Sequence, residues 1–197
     1  MYGSPYPYQH PGHWQGNMYE SVDGYWPAPN AANYAPHQDG SNTRLNIKDY
    51  GMHPFVTNIN QTTKQNNTFR TAIWTGNHLQ VTLMSLKPGE DIGLEVHPNV
   101  DQFLRVEQGQ GIAQMGPRKN HLNYQRRISD DSAIFVPAGT WHNITNTGNG
   151  PLKLYSIYGP PNHPFGTVHR TKADAMAMEH GRQREHFNRH ESFKTFL

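Results

Sequence analysis

The stretch GLEVHPNVDQFLRVEQGQG, Gly93–Gly111, decides how this chain is read. Two short runs, IGLEVH and QFLRVE, are rich in residues that suit a pleated surface, and Pro98 and Asn99 mark a turn between them. A strand sends alternate side chains to opposite faces, so Glu95 and His97 share one face. Strands assemble metal sites with that spacing. Gln102 opens the second run, and antiparallel pairing of the two runs would set it opposite Glu95 and His97. A further donor has to come from elsewhere. AIFVPAGTWHNITN, residues 133–146, offers His142 just after the turn at Pro137 and Gly139.

Working outward, the same punctuation repeats. TFRTAIWTG, HLQVTLMSL, GIAQM, LNYQRRI and LKLYSIYG are each rich in Val, Ile, Leu, Thr or aromatic residues, and KPGED, EQGQG, GPRKN, SDD and TGNG separate runs of this kind. Leu79, Val81 and Leu83 alternate with Gln80 and Thr82, the period of a strand. The pattern predicts an all-β sandwich or barrel. Beyond YGPPNHPFG, whose prolines forbid regular structure, TKADAMAMEHGRQREHFNRH reads as helix: Thr171 and Asp174 have capping-box spacing, and Ala173, Ala175 and Ala177 favour it. Gly181 weakens the middle, so one or two short C-terminal helices are expected.

Composition sets the boundaries. The chain has 197 residues, room for one cored domain with appendages. Its mean hydropathy of −0.85 is low for a chain that is globular throughout. No Leu, Ile or Phe precedes Leu45. Residues 1–41, built from Tyr, Pro, Gly, His, Asn and Gln with Trp14 and Trp26, cannot bury enough surface to offset chain entropy and are expected to be disordered, as either a passive or an adhesive tail. The barrel is then expected over residues 42–161 and a loop and helical appendage over 162–197.

A formal charge of +2 with no basic stripe speaks against nucleic acid, and no basic residue precedes Arg44, which disfavours an N-terminal helix-turn-helix. Without cysteine there is no disulfide or thiol chemistry, so a metal must be held by His, carboxylate or amide groups. No run of about 18 apolar residues is present, and a soluble, cytoplasmic protein without a membrane partner is the expectation.

Two gapped patterns in this sequence resemble those that mark the cupin superfamily. The first, G(X)5HXH(X)3,4E(X)6G, runs from Gly89 through Glu95, His97 and Gln102 to Gly109. The second, G(X)5PXG(X)2H(X)3N, covers Asp131, Pro137, Gly139, His142 and Asn146. The resemblance implies a jelly-roll barrel, the double-stranded β-helix, with one divalent metal in its mouth. It also implies the ligand set Glu95, His97, Gln102 and His142. Glu95 stands where the family has His, Gln102 where it has Glu, and Asp131 where it has Gly, so the carboxylate has moved to another corner of the site.

Two histidines and one carboxylate with open positions suit non-haem iron(II), while manganese, zinc, cobalt or nickel can occupy the same set. Gln102 can bind the metal, release it when substrate arrives, or hydrogen-bond a bound water. A metal-free barrel is the alternative, although a carboxylate facing inward between Leu94 and Val96 is costly to bury without neutralisation. Around the site, Asp101, Arg105, Trp141, Trp74, Tyr155 and Tyr158 are candidates for the pocket wall, with Asp101 and Tyr155 the candidate general bases. No catalytic residue stands out. His163 and His169 are expected at the surface or at a cap, and nothing preorganises His10, His13 and His37.

The resemblance implies dioxygenase, isomerase, epimerase or decarboxylase chemistry on a small organic acid, phenol or sugar, and a homodimer. The competing reading is a non-enzymatic ligand-binding protein or a bacterial coat or surface protein, with the head as its adhesive part.

Overall fold

The turn residues of the sequence delimit nine strands among residues 46–178, the part of the chain that the computed structural model describes. They are β1 (Arg70–Thr75), β2 (Gln80–Leu86), β3 (Asp101–Gln108), β4 (Gln110–Gly116), β5 (Tyr124–Ser129), β6 (Ala133–Val136), β7 (Trp141–Asn146), β8 (Leu152–Gly159) and β9 (Val168–His169). All pairs are antiparallel and form a six-stranded sheet, β6-β3-β8-β2-β1-β9, and a three-stranded sheet, β5-β4-β7. Residues of both sheets, among them Met84, Leu104, Val106, Leu154, Ala113, Ile128 and Ile144, share one apolar core. The all-β cupin architecture expected from the sequence is therefore present.

The inner face of the large sheet grades from polar to apolar along the strands. One cross-strand row is Gln80, Tyr158, Gln102 and Val136; the next is Thr82, Ser156, Leu104 and Ile134; the next is Met84, Leu154 and Val106. Each of these residues is buried. The alternation in β2 is as the sequence indicates, but its polar members Gln80 and Thr82 face the interior, whereas Leu79 is 41% exposed. One half of the barrel is thus a hydrophobic core and the other a polar chamber.

IGLEVH behaves differently from its expectation. Its residues do not pair with β3. Asp91 and Glu95 instead bridge Thr145 and His142 of β7, which attaches the segment to the small sheet. Pro98, Asn99 and Val100 then carry the chain across to the large sheet, so Gln102 stands on the opposite wall from Glu95 and His97.

Two further elements pack on the barrel. Helix α1 (Ile59–Gln65), which the strand-like patterns leave unassigned, is capped by the Asn58 side chain accepting from Gln61 N at 3.1 Å. It covers fully buried Glu107, which accepts from Asn60 and, at 2.7 Å, from Arg105. Buried Lys153 donates to the carbonyl of Asn66 and to Asn67 Oδ1 at the end of the helix. At the other end of the chain the expected capping box forms: Thr171 N donates to Asp174 Oδ2 at 2.9 Å and Asp174 N to Thr171 Oγ1 at 3.2 Å. Residues 172–178 are helical, and Ala175 reaches the core. The expected disorder of residues 1–41 and any second C-terminal helix lie outside the described residues.

Leu104 sits at the centre of the inner face without exposure. Leu104→Ala is expected to lower unfolding free energy by about 2–5 kcal/mol, and Asn58→Ala by about 1 kcal/mol, both measured by urea unfolding.

Candidate metal centre

Glu95 and His142 are held side by side by their backbones. Glu95 N donates to His142 O at 3.1 Å and His142 N to Glu95 O at 2.9 Å, closing a two-residue ladder between the IGLEVH segment and β7. His97, two residues along, is anchored by its carbonyl, which accepts from Gly139 N at 2.8 Å. Glu95 Oε1 lies 3.4 Å from His97 Nε2 and 3.4 Å from His142 Nε2. None of the three atoms has a hydrogen-bond partner of proper geometry.

These donors fit a transition metal. His142 Nδ1 lies 2.9 Å from the carbonyl of Thr140. A carbonyl only accepts, so Nδ1 carries a proton; Nε2 then donates toward Glu95 Oε1 when protonated and offers its lone pair to a metal when not. Bonds of about 2.1 Å at tetrahedral angles place neighbouring ligands about 3.4 Å apart, the spacing found between Glu95 Oε1 and each imidazole Nε2. Glu95, His97 and His142 form the His and carboxylate cluster of metal-binding dimensions among the described residues. Burial by itself would raise the Glu95 pKa, but the nearby His142 and His97 imidazoles and the Arg70 guanidinium together hold it well below the usual carboxylate range.

Gln102, 3% exposed, faces this cluster from the large sheet. Its Nε2 lies 3.5 Å from Ser156 Oγ, and its Oε1 is buried without a partner. Tyr158 stands beside it and meets His97 edge-on, ring centroids 5.8 Å apart. Burial raises the pKa of this phenol, with the Glu95 charge adding to the effect and Arg70 opposing it. Thr82 and Ser156 lie close to the Tyr158 hydroxyl. The Tyr158 and Thr82 hydroxyls both lack a hydrogen-bond partner of proper geometry.

The other expected wall residues are elsewhere. Asp101 is exposed and accepts from Ala138 N at 2.8 Å, so it braces a turn. Arg105 points outward to Glu107 and Asp131. Tyr155 also lies on the outer face, against Phe103. Asp101 and Tyr155 are therefore not general bases of this chamber, because each sits one residue out of phase with the inward set of its strand. Trp74 donates to the carbonyl of His53, and Trp141 is half-buried at the start of β7. His163 and His169 are buried, contrary to their expected surface placement. His163 meets Tyr158 at 5.1 Å, and Gln80 grips its backbone by accepting from His163 N at 2.9 Å and donating to His163 O at 2.8 Å.

Arg70 is the residue that spacing does not single out. It is 1% exposed on β1, opposite Met84, and its Nη2 lies 3.9 Å from Glu95 Oε2. The signal available in the sequence is a lone charge inside the apolar run TFRTAIW.

The barrel and its inward donor cluster define a cupin, and the chain belongs to the cupin superfamily. The cupin-domain profile matches residues 82–158. The chain is 76% identical over 135 residues to the uncharacterized protein YrkC of Bacillus subtilis (strain 168), covering 68% of this chain and 73% of that one. An uncharacterized protein of Acanthamoeba polyphaga mimivirus is 44% identical over 115 residues, covering 58% of this chain and 70% of its own length. A crystal structure from Bacillus halodurans superposes with a TM-score of 0.66 at 65% identity, over 66% of this chain and 99% of that one.

Removing both imidazoles should reverse the shift at Glu95, because burial then outweighs Arg70. In His97→Ala/His142→Ala the carboxyl is expected to titrate above its ordinary value of 4.5, read by carbon NMR of the labelled side chain. In the native protein the depressed pKa contributes stability above about pH 4.5 that is lost only as pH falls through the lower folded value.

Proposed function

We propose that this cupin holds one divalent transition metal (iron, manganese, zinc or nickel) on Glu95, His97 and His142, and acts on a small organic molecule as an oxidoreductase or isomerase. The convergence of Glu95 Oε1 with two imidazole Nε2 atoms carries this reading. A metal bound there would supply Lewis acidity and open coordination positions. Glu95 contributes the negative charge, and Thr140 keeps His142 in the ligating tautomer. Gln102, with its free Oε1, serves as a neutral, displaceable fourth donor. Tyr158, kept protonated by burial, offers a hydrogen-bond donor to a substrate oxygen. Gln80, Thr82 and Ser156 complete a polar wall that orients the molecule.

The alternative, a coat or binding protein whose head does the work, depends on residues outside the described part, and no observed contact favours it. Among the described residues no helix is long and apolar enough to cross a membrane; a cytoplasmic location is part of the proposal. So is a homodimer. Phe135, 70% exposed on the edge strand β6, packs at 5.1 Å on Phe103, which meets Tyr155 at 6.1 Å. Such an outward aromatic group suits a second copy.

Inductively coupled plasma mass spectrometry tests the metal reading. About one metal per chain is expected, and its loss from His97→Ala/His142→Ala with the circular dichroism spectrum retained. Protein that takes up none of the four metals on reloading would overturn it. Phe135→Glu is expected to convert a dimer to a monomer in light scattering, and an unchanged mass would rule out this face as the interface.

A further inference from the structure

We infer that the polar chamber binds a small organic carboxylate and that Arg70 is its anchor. This rests on the reading of the chamber as the substrate site. Arg70 is almost completely buried, and its Nε and Nη2 have no hydrogen-bond partner. Those two nitrogens form one edge of the guanidinium, the edge that takes a carboxylate in two parallel bonds. A buried cation with that edge unbonded is costly, and a ligand anion is the group that would satisfy it.

Glu95 does not fill this role. Its Oε1 faces both imidazoles, and its Oε2 stays 3.9 Å from Nη2, outside hydrogen-bonding distance. A divalent metal on the same carboxylate would add positive charge to the chamber, so Glu95 cannot neutralise both. Gln102, Tyr158, Gln80, Thr82 and Ser156 are neutral, and none supplies the missing charge.

Depth agrees with this assignment. Side-chain exposure is 14% for Glu95 and 11% for His97 but 0% for His142 and 1% for Arg70, so Arg70 lies at the depth of His142, behind Glu95 and His97. Tyr158, whose hydroxyl lacks a hydrogen-bond partner of proper geometry, lies near enough to both Arg70 and Glu95 to feel their charges. A molecule holding its carboxylate on Arg70 can therefore present a neighbouring oxygen to the cluster while Tyr158 or Thr82 donates to it. The unbonded edge, Nε and Nη2, matches the two oxygens of a carboxylate. A neutral sugar or phenol would leave Arg70 uncompensated.

Isothermal titration calorimetry with pyruvate, its neutral amide pyruvamide and inorganic phosphate tests the assignment, using chelator-treated and zinc-reloaded full-length protein with metal content measured on the same samples. Pyruvate is expected to bind at least about 10-fold more tightly than pyruvamide or phosphate. Arg70→Gln is expected to weaken pyruvate roughly 10- to 150-fold, the range for a hydrogen bond to a charged group. Arg70→Lys, which keeps the charge but not the fork, should fall between, and it serves if Arg70→Gln does not fold.

Undetectable pyruvate binding, equal affinity for pyruvamide, preference for phosphate, or Arg70 variants that bind pyruvate normally would each overturn the inference. Loss of metal affinity in Arg70→Gln with pyruvate binding intact would also overturn it, making Arg70 a positioning residue for Glu95. Arg70-dependent pyruvate binding in protein that takes up no metal would support the anchor while the metal reading fails. Stoichiometric metal without pyruvate binding would leave the reverse.

Discussion

The backbone ladder between Glu95 and His142 is the constraint on which the site depends. A carboxylate and two imidazoles repel or compete for solvent when free, and bringing their donor atoms to 3.4 Å costs side-chain entropy and desolvation. Two backbone hydrogen bonds fix Glu95 beside His142 without using either side chain. The carbonyl of Thr140 then sets the His142 tautomer, and the amide of Gly139 holds the carbonyl of His97. These restraints are borne by main-chain atoms, and Glu95 Oε1 and the two Nε2 atoms are left without a hydrogen-bond partner of proper geometry.

The rest of the barrel is arranged around that cluster as two halves of different chemistry. At the apolar end, Met84, Leu154 and Val106 pack into the common core and supply the hydrophobic stabilisation. At the other end, Gln80, Tyr158 and Gln102 occupy equivalent inward positions; Gln80 is held by hydrogen bonds to the chain, while Gln102 Oε1 and the Tyr158 hydroxyl are left without a partner. Unsatisfied buried groups cost stability, and proteins keep them where a ligand completes them. Arg70 is the extreme case, a charge rooted on a row with Met84 and reaching toward Glu95.

Departures from the cupin patterns acquire physical meaning in the same way. Asp131, in a position where the family pattern has glycine, adopts φ of +67°, a left-handed conformation that Asp tolerates better than most side chains. Its carboxylate bonds Arg105, which in turn bonds buried Glu107. That substitution links the turn to the outer face of the sheet and to α1. Gln102 in place of an acid removes a charge from the chamber, and Glu95 returns one from the opposite wall.

Local pattern alone determined the strands, their turns, the Thr171 and Asp174 cap and the shared face of Glu95 and His97, because alternation and turn chemistry act between near neighbours in the chain. Which segments pair, and which face of each is inside, was decided by the tertiary structure. IGLEVH looks ready to pair with QFLRVE, yet it joins β7, since hydrogen bonds between strands form wherever the whole barrel can close. Asp101 and Tyr155 look like site residues, but a one-residue difference in phase turns them outward. Gln80, Arg70 and His163 look like surface residues by composition, and only the closed barrel buries them around the site, because no local period records that a polar side chain faces a chamber rather than solvent.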